Sequence, residues 1–225
     1  KFLKKYKITN INKPLFFYRQ HGVSLSKNTT KLLRTRSKII EKFIKKDQKK
    51  ITYGIIPVRG KKFDHSCLAL QKINNKPILF WTIDEALKSK NLNKLIISSG
   101  DKNLLKLTKK KYKNKLLYHE RENKHSYQNT SYMNIIPIAV KICLKKKPDN
   151  IIILNIESPF RQFFYIEKAI NNHIYHKADR TISVLPDNTG HFYKYGKNGL
   201  SLISNNNYTA LRTEKKYIFT ECGGI

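Results

Sequence analysis

The stretch Tyr53–Lys62, YGIIPVRGKK, is a short apolar run that passes directly into a glycine among three cations. A short apolar run bounded by polar residues is typical of a buried strand. From this point the chain alternates between such runs and segments whose apolar residues have helical spacing. The alternation predicts an α/β fold with a three-layer α/β/α arrangement, in which helices cover both faces of a mostly parallel, Rossmann-like sheet.

Further strands are predicted at residues 94–99, 115–118, 151–154 and 181–185. The run at 151–154 is apolar throughout, which is typical of a central strand. Helices are predicted to begin at Pro77, Asn103 and Arg161. A further helix would place apolar residues on one face: Ile136, Ala139, Val140, Cys143 and Leu144. From residue 191 onwards we expect short strands joined by Asn/Gly turns.

The first fifty residues have another pattern, with an apolar, aromatic stretch at 11–21, helical spacing at 30–46 and a polar run at 45–50. We predict that residues 1–44 are the tail of a preceding domain, 45–51 a linker, and 52–225 the main domain. Because the chain starts at Lys1 and stops at Ile225 in mid-pattern, we expect an internal fragment whose main domain is incomplete at its C-terminus.

The composition excludes several classes of protein. No apolar run approaches the roughly 18 to 20 residues of a membrane-spanning helix, so no transmembrane segment is expected. Three distant cysteines form neither a disulfide framework nor a zinc cluster, which favours a reducing, cytoplasmic compartment.

The charge is strongly positive, with 46 basic residues against 15 acidic ones and a net charge of +31. Such a field attracts nucleic acid, anionic lipid or phosphorylated ligands. The aromatic residues, however, fall in apolar runs rather than alternating with arginine on an exposed strand. We therefore predict no specific nucleic-acid partner, and scattered lysines are typical of a solvated surface.

Ligands of open parallel sheets bind beyond the carboxyl ends of the strands, which selects the loops 59–66, 98–101, 121–131 and 155–161. In the first loop, Gly60 would let the backbone approach a polyphosphate, and Arg59, Lys61 and Lys62 would neutralise its charge. The spacing is not that of a P-loop.

The fourth loop leads from the predicted central strand into a helix. Asn155, at the strand end, offers a donor and an acceptor to a base edge. Ser158 is placed to cap the helix, with Pro159 in its first position.

Four ordered segments resemble the acylneuraminate cytidylyltransferases, the CMP-sialic acid synthetase type of sugar-nucleotide enzyme, across residues 53–225. The loop IPVRGKK at 56–62 is similar to the family's Arg-Gly-Gly-Ser-Lys loop, and ISSGD at 97–101 to its Val-Ser-Thr-Asp strand end. NKPILFWTI at 75–83 and LNIESPFR at 154–161 match its Gly-Lys-Pro-Leu and Leu-Gln-Pro-Thr-Ser-Pro-Leu-Arg motifs. The resemblance implies a nucleotidyltransferase fold of the GT-A-like type.

The resemblance also implies a reaction in bacterial surface-glycan biosynthesis, in which a hydroxyl of an acidic sugar attacks the α-phosphorus of CTP and releases pyrophosphate. Mg²⁺ would offset charge, and family members usually form dimers. By position, the implied catalytic residues are Arg59 and Lys62. The implied nucleotide-binding residues are Arg59, Gly60, Lys61, Lys62, Ser98, Asp101, Arg121 and Asn155, and the sugar-binding residues are Ser158 and Arg161.

Departures from the family pattern keep two alternatives open. The family's Lys-Asn pair falls on Leu68-Ala69, an aspartate on Gly100, and a threonine on Glu157; the metal-binding aspartates would lie past Ile225, so no metal ligand is assigned. One alternative is an inactive binding or scaffold domain of the same fold. The minor alternative is a basic nucleic-acid-binding protein.

Residues 14–28 are similar to the C-terminal end of a GT-A-type glycosyltransferase of the large inverting family, where a Tyr-Arg-x-His segment closes the catalytic domain. The resemblance implies that the preceding domain is such a glycosyltransferase, fused to the sugar-activating domain. In this fragment His21 is interpreted as a surface histidine.

Overall fold

The computed structural model describes residues 29–44, 50–127, 131–143, 147–187, 193–196, 199–202 and 218–222. The chain divides into two compact units, residues 1–36 and 37–225. In the described part of the first unit, which is helical, the Thr35 hydroxyl donates to the carbonyl of Lys31. His21, most of the predicted linker and most of the predicted tail lie outside the described residues, so the predicted domain boundaries stay predictions.

The described elements follow one another in an alternating order. The strands are β1 (Thr52–Pro57), β2 (Lys72–Ile73), β3 (Lys76–Pro77), β4 (Lys94–Ser99), β5 (Leu117–Glu120), β6 (Asn150–Ile153), β7 (Val184–Asp187), β8 (Tyr193–Gly196), β9 (Gly199–Leu202) and β10 (Ile218–Glu221). The helices are α1 (Thr29–Ile44), α2 (Ile78–Lys88), α3 (Lys102–Tyr112), α4 (Tyr132–Cys143) and α5 (Phe163–His176).

The central sheet has four parallel strands in the order β5-β4-β1-β6. Strand β1 lies inside the sheet and is buried along its whole length, which explains its continuous apolar character. Its register pairs Ile55 with Ile96 and with Ile153. Because all four strands run the same way, the loops that follow β1, β4, β5 and β6 lie at one edge of the sheet.

Helices flank this sheet and form the predicted three-layer arrangement. Their apolar faces and the strands share one core, whose fully buried members include Ile56, Leu79, Ile83, Ile97, Leu104, Leu154 and Ile166. Helix α2 packs against α5, and the amide of Asn91 donates to that of Asn171 where α2 ends. Among the described helices, none combines the length and apolar character needed to cross a bilayer.

Strand β7 departs from the prediction for residues 181–185. It pairs antiparallel with β10 in a separate two-stranded sheet rather than adding a parallel strand to the central one. The short strands expected after residue 191 are found, since β8 and β9 form a hairpin. Periodicity identified the strand but not its partner, because pairing depends on residues far away in the chain.

The start of α5 also differs from the prediction. The helix begins at Phe163, with Gln162 as its N-cap residue, so Ser158 does not cap it. Instead, the backbone N–H of Arg161 donates to the carbonyl of Ser158 in a turn at 3.2 Å. The N–H of Phe163 donates to a carboxylate oxygen of Glu85 at 2.9 Å, so the cap comes from α2.

Candidate functional site

A cavity of about 920 Å³ opens at the carboxyl edge of the sheet. Three loops form its walls, and these are the loops that follow β1, β4 and β5. The lining residues are Lys61, Lys62, Gly100, Asp101, Lys102, Asn103, Glu120, Arg121, Glu122 and Asn123. The location agrees with the general rule for open parallel sheets, and the volume is in the range of small-molecule sites.

The basic loop after β1 is a tight turn built on Gly60. The carbonyl of Gly60 accepts the N–H groups of Phe63 and Asp64, both at 3.0 Å. Lys61 and Lys62, at the top of this turn, are exposed. The ammonium of Lys62 donates to the side-chain oxygen of Asn123 at 3.2 Å, which joins this loop to the loop after β5.

Gly60 is in close contact with Asp101, which begins α3. A Cβ atom on residue 60 would lie 2.1 Å from Asp101 Oδ2 and 2.3 Å from its Cβ. The other oxygen of Asp101, Oδ1, caps α3 by accepting the N–H groups of Asn103 at 2.9 Å and Leu104 at 3.3 Å. The glycine therefore makes room for a helix cap, whereas the sequence suggested that it makes room for a ligand.

Gly100 is equally confined. A Cβ atom there would lie 2.1 Å from Ser126 Oγ and 2.8 Å from a ring carbon of Phe63. Phe63 in turn packs edge-on against Tyr127, with ring centroids 5.5 Å apart. The space that a side chain at position 100 would need is thus filled by residues of the two neighbouring loops.

The Leu68-Ala69 position, where the resembled family has a Lys-Asn pair, belongs to the core. Ala69 is fully buried, and Leu68 packs against the same core cluster. Neither residue lines the cavity, so the cations of the cavity wall come from other positions.

Arg121 fixes the back wall of the cavity. It is buried, its Nη2 donates to the carbonyl of Val58, and its backbone N–H donates to the carbonyl of Ser99 at 2.8 Å. These bonds attach the loop after β5 to the ends of β1 and β4. At the rim, ion pairs join Lys102 to Glu120 at 3.1 Å and Lys124 to Glu122 at 2.8 Å.

Ser98 has a place inside the sheet and not in the cavity wall. Its hydroxyl is fully buried and lies 2.8 Å from Nδ1 of His119, its register partner on β5. Burial, and then the nearby charge of Arg121, lower the pKa of His119, so this imidazole is neutral at neutral pH. Ser98 thus makes an internal bond at the position where the sequence suggested a nucleotide contact.

Asn155 lines a different cavity, of about 450 Å³, beside β6 and α5. Arg59 and Asn155, which the resemblance assigned to one nucleotide site, therefore do not line a common cavity, although their loops lie at the same edge of the sheet. Arg59 is half-buried and lines neither cavity, and exposed Glu157 lines neither.

Arg161 is buried beneath the loop after β6. Its Nη2 donates to the backbone carbonyl of Asn155, while Nε and Nη1 are buried without a hydrogen-bond partner in the described structure. Burial lowers the pKa of Arg161 to about 10, an effect that the negative charge of Glu157 partly offsets. An arginine left so poorly paired is costly for folding.

The described carboxylates do not fit a dedicated Mg²⁺ site. Within the described ranges, no three His, Cys, Asp or Glu side chains are grouped so that they could hold a metal ion. Asp101 uses one oxygen as a helix cap, and Glu120 and Glu122 are paired with lysines. The implied magnesium site is therefore not formed by these residues.

Five lining residues were not predicted from the sequence, namely Lys102, Asn103, Glu120, Glu122 and Asn123, the last of which also bonds to Lys62. Their position in the chain could have indicated them. Each lies at the carboxyl end of β4 or β5, in the loop that follows, or at the start of α3. His119 was missed because its role depends on the pairing of β4 with β5.

Comparison with solved structures agrees with the α/β architecture. The chain is similar to 4-diphosphocytidyl-2C-methyl-D-erythritol synthase from Anaerococcus prevotii DSM 20548, with 15% identity, a TM-score of 0.51, and 76% of this chain and 67% of that chain covered. It is also similar to 2-C-methyl-D-erythritol 4-phosphate cytidylyltransferase from Francisella tularensis, with 17% identity, a TM-score of 0.49, and coverage of 76% and 70%.

A third similar structure is CMP:2-keto-3-deoxy-manno-octonic acid synthetase complexed with CTP, at 16% identity and a TM-score of 0.44, covering 57% of this chain and 49% of that one. No curated protein matches the sequence. Residues 69–221 match the cytidylyltransferase family, which is more than half of the 225 residues. This chain therefore belongs to the cytidylyltransferase family of CTP-dependent nucleotidyltransferases.

Proposed function

We propose that this protein transfers the cytidylyl group of CTP to a hydroxyl of an acidic, sialic-acid-type sugar, giving a CMP-sugar and pyrophosphate. The observation that carries the proposal is the arrangement of Lys61, Lys62 and Arg121 around one cavity at the carboxyl edge of the sheet. Cations from the loops after β1 and β5 would together offset the charge of the triphosphate.

In this proposal Lys61 and Lys62 bind the β- and γ-phosphates, because they are exposed at the top of the Gly60 turn. The bond from Lys62 to Asn123 orients the lysine before the nucleotide arrives. Arg121 is fixed by its bond to Val58 and would provide a rigid positive wall for the nucleotide. Arg59, which lies outside the cavity lining, would act as a peripheral charge.

The acidic sugar is supported by the sequence of the loop after β6, which resembles that of the acylneuraminate cytidylyltransferases. In the fold, this loop adjoins the second cavity and encloses the buried charge of Arg161. A role in surface-glycan biosynthesis is supported by the glycosyltransferase-like sequence at residues 14–28. The identity of the sugar and the role in surface-glycan biosynthesis are parts of the proposal. So is the formation of a dimer, which the resemblance implies.

The test is pyrophosphate release from CTP in the presence of single acceptors: a sialic acid, 2-keto-3-deoxy-manno-octonic acid and 2-C-methyl-D-erythritol 4-phosphate. Release is expected with the acidic sugars, and K61Q/K62Q should reduce it by at least about tenfold, since each lysine is a phosphate ligand. The matched control K106Q/K109Q removes two exposed lysines of α3 and should retain activity. Release only with the erythritol phosphate would refute the sugar assignment.

A second candidate is a domain of the same fold that binds CTP without turnover. It is favoured by the filled space at Gly100 and by the core position of Leu68 and Ala69, because these positions leave no room for a polar side chain. Calorimetric titration with CTP distinguishes the two. Binding that K61Q/K62Q weakens, with no pyrophosphate released from any acceptor, would favour this candidate.

A further inference from the structure

The C-terminal half of α1, residues 37–44, has an exposed apolar stripe. Ile39 and Phe43 are 51% and 60% exposed, and they lie four residues apart, hence on one face of the helix. Exposed apolar side chains are common on protein surfaces, so such a pair indicates an interaction surface only when a second feature lies beside it.

This half of α1 belongs to the second unit and contacts the core of that unit through another side of the helix. Ile44 is partly buried and packs against the core cluster of that unit. At 100° per residue, Ile44 lies about 100° from Phe43 around the helix axis, so the Ile39–Phe43 stripe turns away from that contact. The stripe is therefore held in place by a folded domain.

A row of positive charge lies beside the apolar stripe. Lys38 and Lys42 immediately precede Ile39 and Phe43, and both lysines are exposed. On a helical surface the two lysines are also four residues apart and form a parallel row. A cationic row next to an apolar row is the pattern of helices that lie in the headgroup region of a membrane, where lysine stems extend along the apolar surface.

We propose that residues 37–44 of α1 dock on the surface of an anionic lipid bilayer, with Ile39 and Phe43 inserted and Lys38 and Lys42 at the phosphates. The net charge of +31 attracts the whole chain to such a surface. A second copy docked on this stripe by a two-fold axis would bring its own Lys38 and Lys42 beside those of the first copy. A nucleic acid would leave Ile39 and Phe43 without an apolar partner. The docking is independent of the cytidylyltransferase site.

The test is cosedimentation of the intact chain with vesicles of phosphatidylcholine alone or with one third phosphatidylglycerol. Binding is expected only with the anionic vesicles. K38Q/K42Q should weaken it by about twenty-five-fold, since each lysine near an anionic surface contributes roughly fivefold. I39S/F43S should weaken it by at least about tenfold, because both side chains lose their burial in lipid.

Two matched control variants test whether vesicle binding depends on this helix or only on the overall charge and the exposed apolar surface of the chain. K109Q/K110Q removes the same charge from exposed positions on α3, and I138S/I142S removes an exposed apolar pair, four residues apart, from α4. Both controls should bind within about twofold of the parent, because screening limits charge effects to about 10 Å. Circular dichroism checks folding, and K38Q/K42Q remains decisive if I39S/F43S does not fold.

Three results would overturn the proposal. The first is binding that does not differ between neutral and anionic vesicles, including no binding to either. The second is a loss of vesicle binding in the control variants as large as that in the α1 variants. The third is a dimer in sedimentation velocity that I39S/F43S dissociates while vesicle binding is unchanged, which would assign the stripe to a second copy.

Discussion

Gly60 and Asp101 come from different loops, and the contact between them sets the distance between the basic turn and the start of α3. A Cβ atom at position 60 would lie 2.1 Å from Asp101 Oδ2, closer than any real contact. The position of Lys61 and Lys62 therefore depends on the absence of a side chain at residue 60 and on the cap that Asp101 forms on α3.

Substituting Gly60→Ala should force the turn away from Asp101. We expect a loss of about 1–3 kcal/mol in the free energy of unfolding, the usual cost of overpacking, together with weaker CTP binding. Urea denaturation and calorimetry measure the two effects. Gly54→Ala is the matched control: its Cβ would meet Cδ1 at the end of the Leu95 side chain at 2.8 Å, whereas that of residue 60 would meet the Cβ atom of Asp101, so a smaller loss and normal CTP binding are expected.

Gly100→Asp would introduce the aspartate of the resembled family at its corresponding position. We expect it to destabilise the fold and to abolish CTP binding, because Ser126 and Phe63 occupy the required space. The double variant G100D/S126G removes the nearer obstacle and should recover part of the melting temperature. A single G100D variant as stable as the parent would show that the three loops are not interlocked.

Stability should fall as the pH drops below the ordinary pKa of histidine, 6.5, because of His119. Its pKa is lowered in the folded state, so between the folded pKa and 6.5 the unfolded chain binds a proton that the folded chain does not. The stabilising contribution is thus complete above pH 6.5 and is lost as the pH falls through the folded pKa. Urea midpoints between about pH 7.5 and 5 measure it, and His119→Gln should flatten the profile.

Arg161→Met should leave the free energy of unfolding unchanged or raise it by about 1–2 kcal/mol, because it removes a buried guanidinium with two unpaired nitrogens. Arg161→Ala should lower it, since it leaves a cavity. If the sugar contacts this loop, Arg161→Met should also raise the KM for the sugar without changing that for CTP. A large loss of stability in Arg161→Met would refute the expectation that the buried guanidinium of Arg161 destabilises the fold.

The parallel strands β1, β4 and β6 were predictable because each contains a short apolar run between turn signals, whereas β5, with the sequence LYHE, gave a weaker signal that placed it at 115–118. The cationic turn at Lys61 and Lys62 was predictable because it follows the first strand. What local patterns do not contain is the outcome of long-range packing. The bond of Ser98 to His119, the cap that Glu85 provides for Phe163, and the placement of Asn155 in a second cavity all depend on contacts between distant segments.

The strand order has a consequence for how this chain folds as it is synthesised. Strand β1 lies between β4 and β6, and the backbone N–H of Ile51 beside it bonds to Asp149, 98 residues later. One side of β1 therefore stays open until β6 leaves the ribosome, and its apolar residues are exposed to other nascent chains during that time. A ribosome stalled before residue 150 should present a sheet that a chaperone recognises, and one stalled well after residue 176 should not.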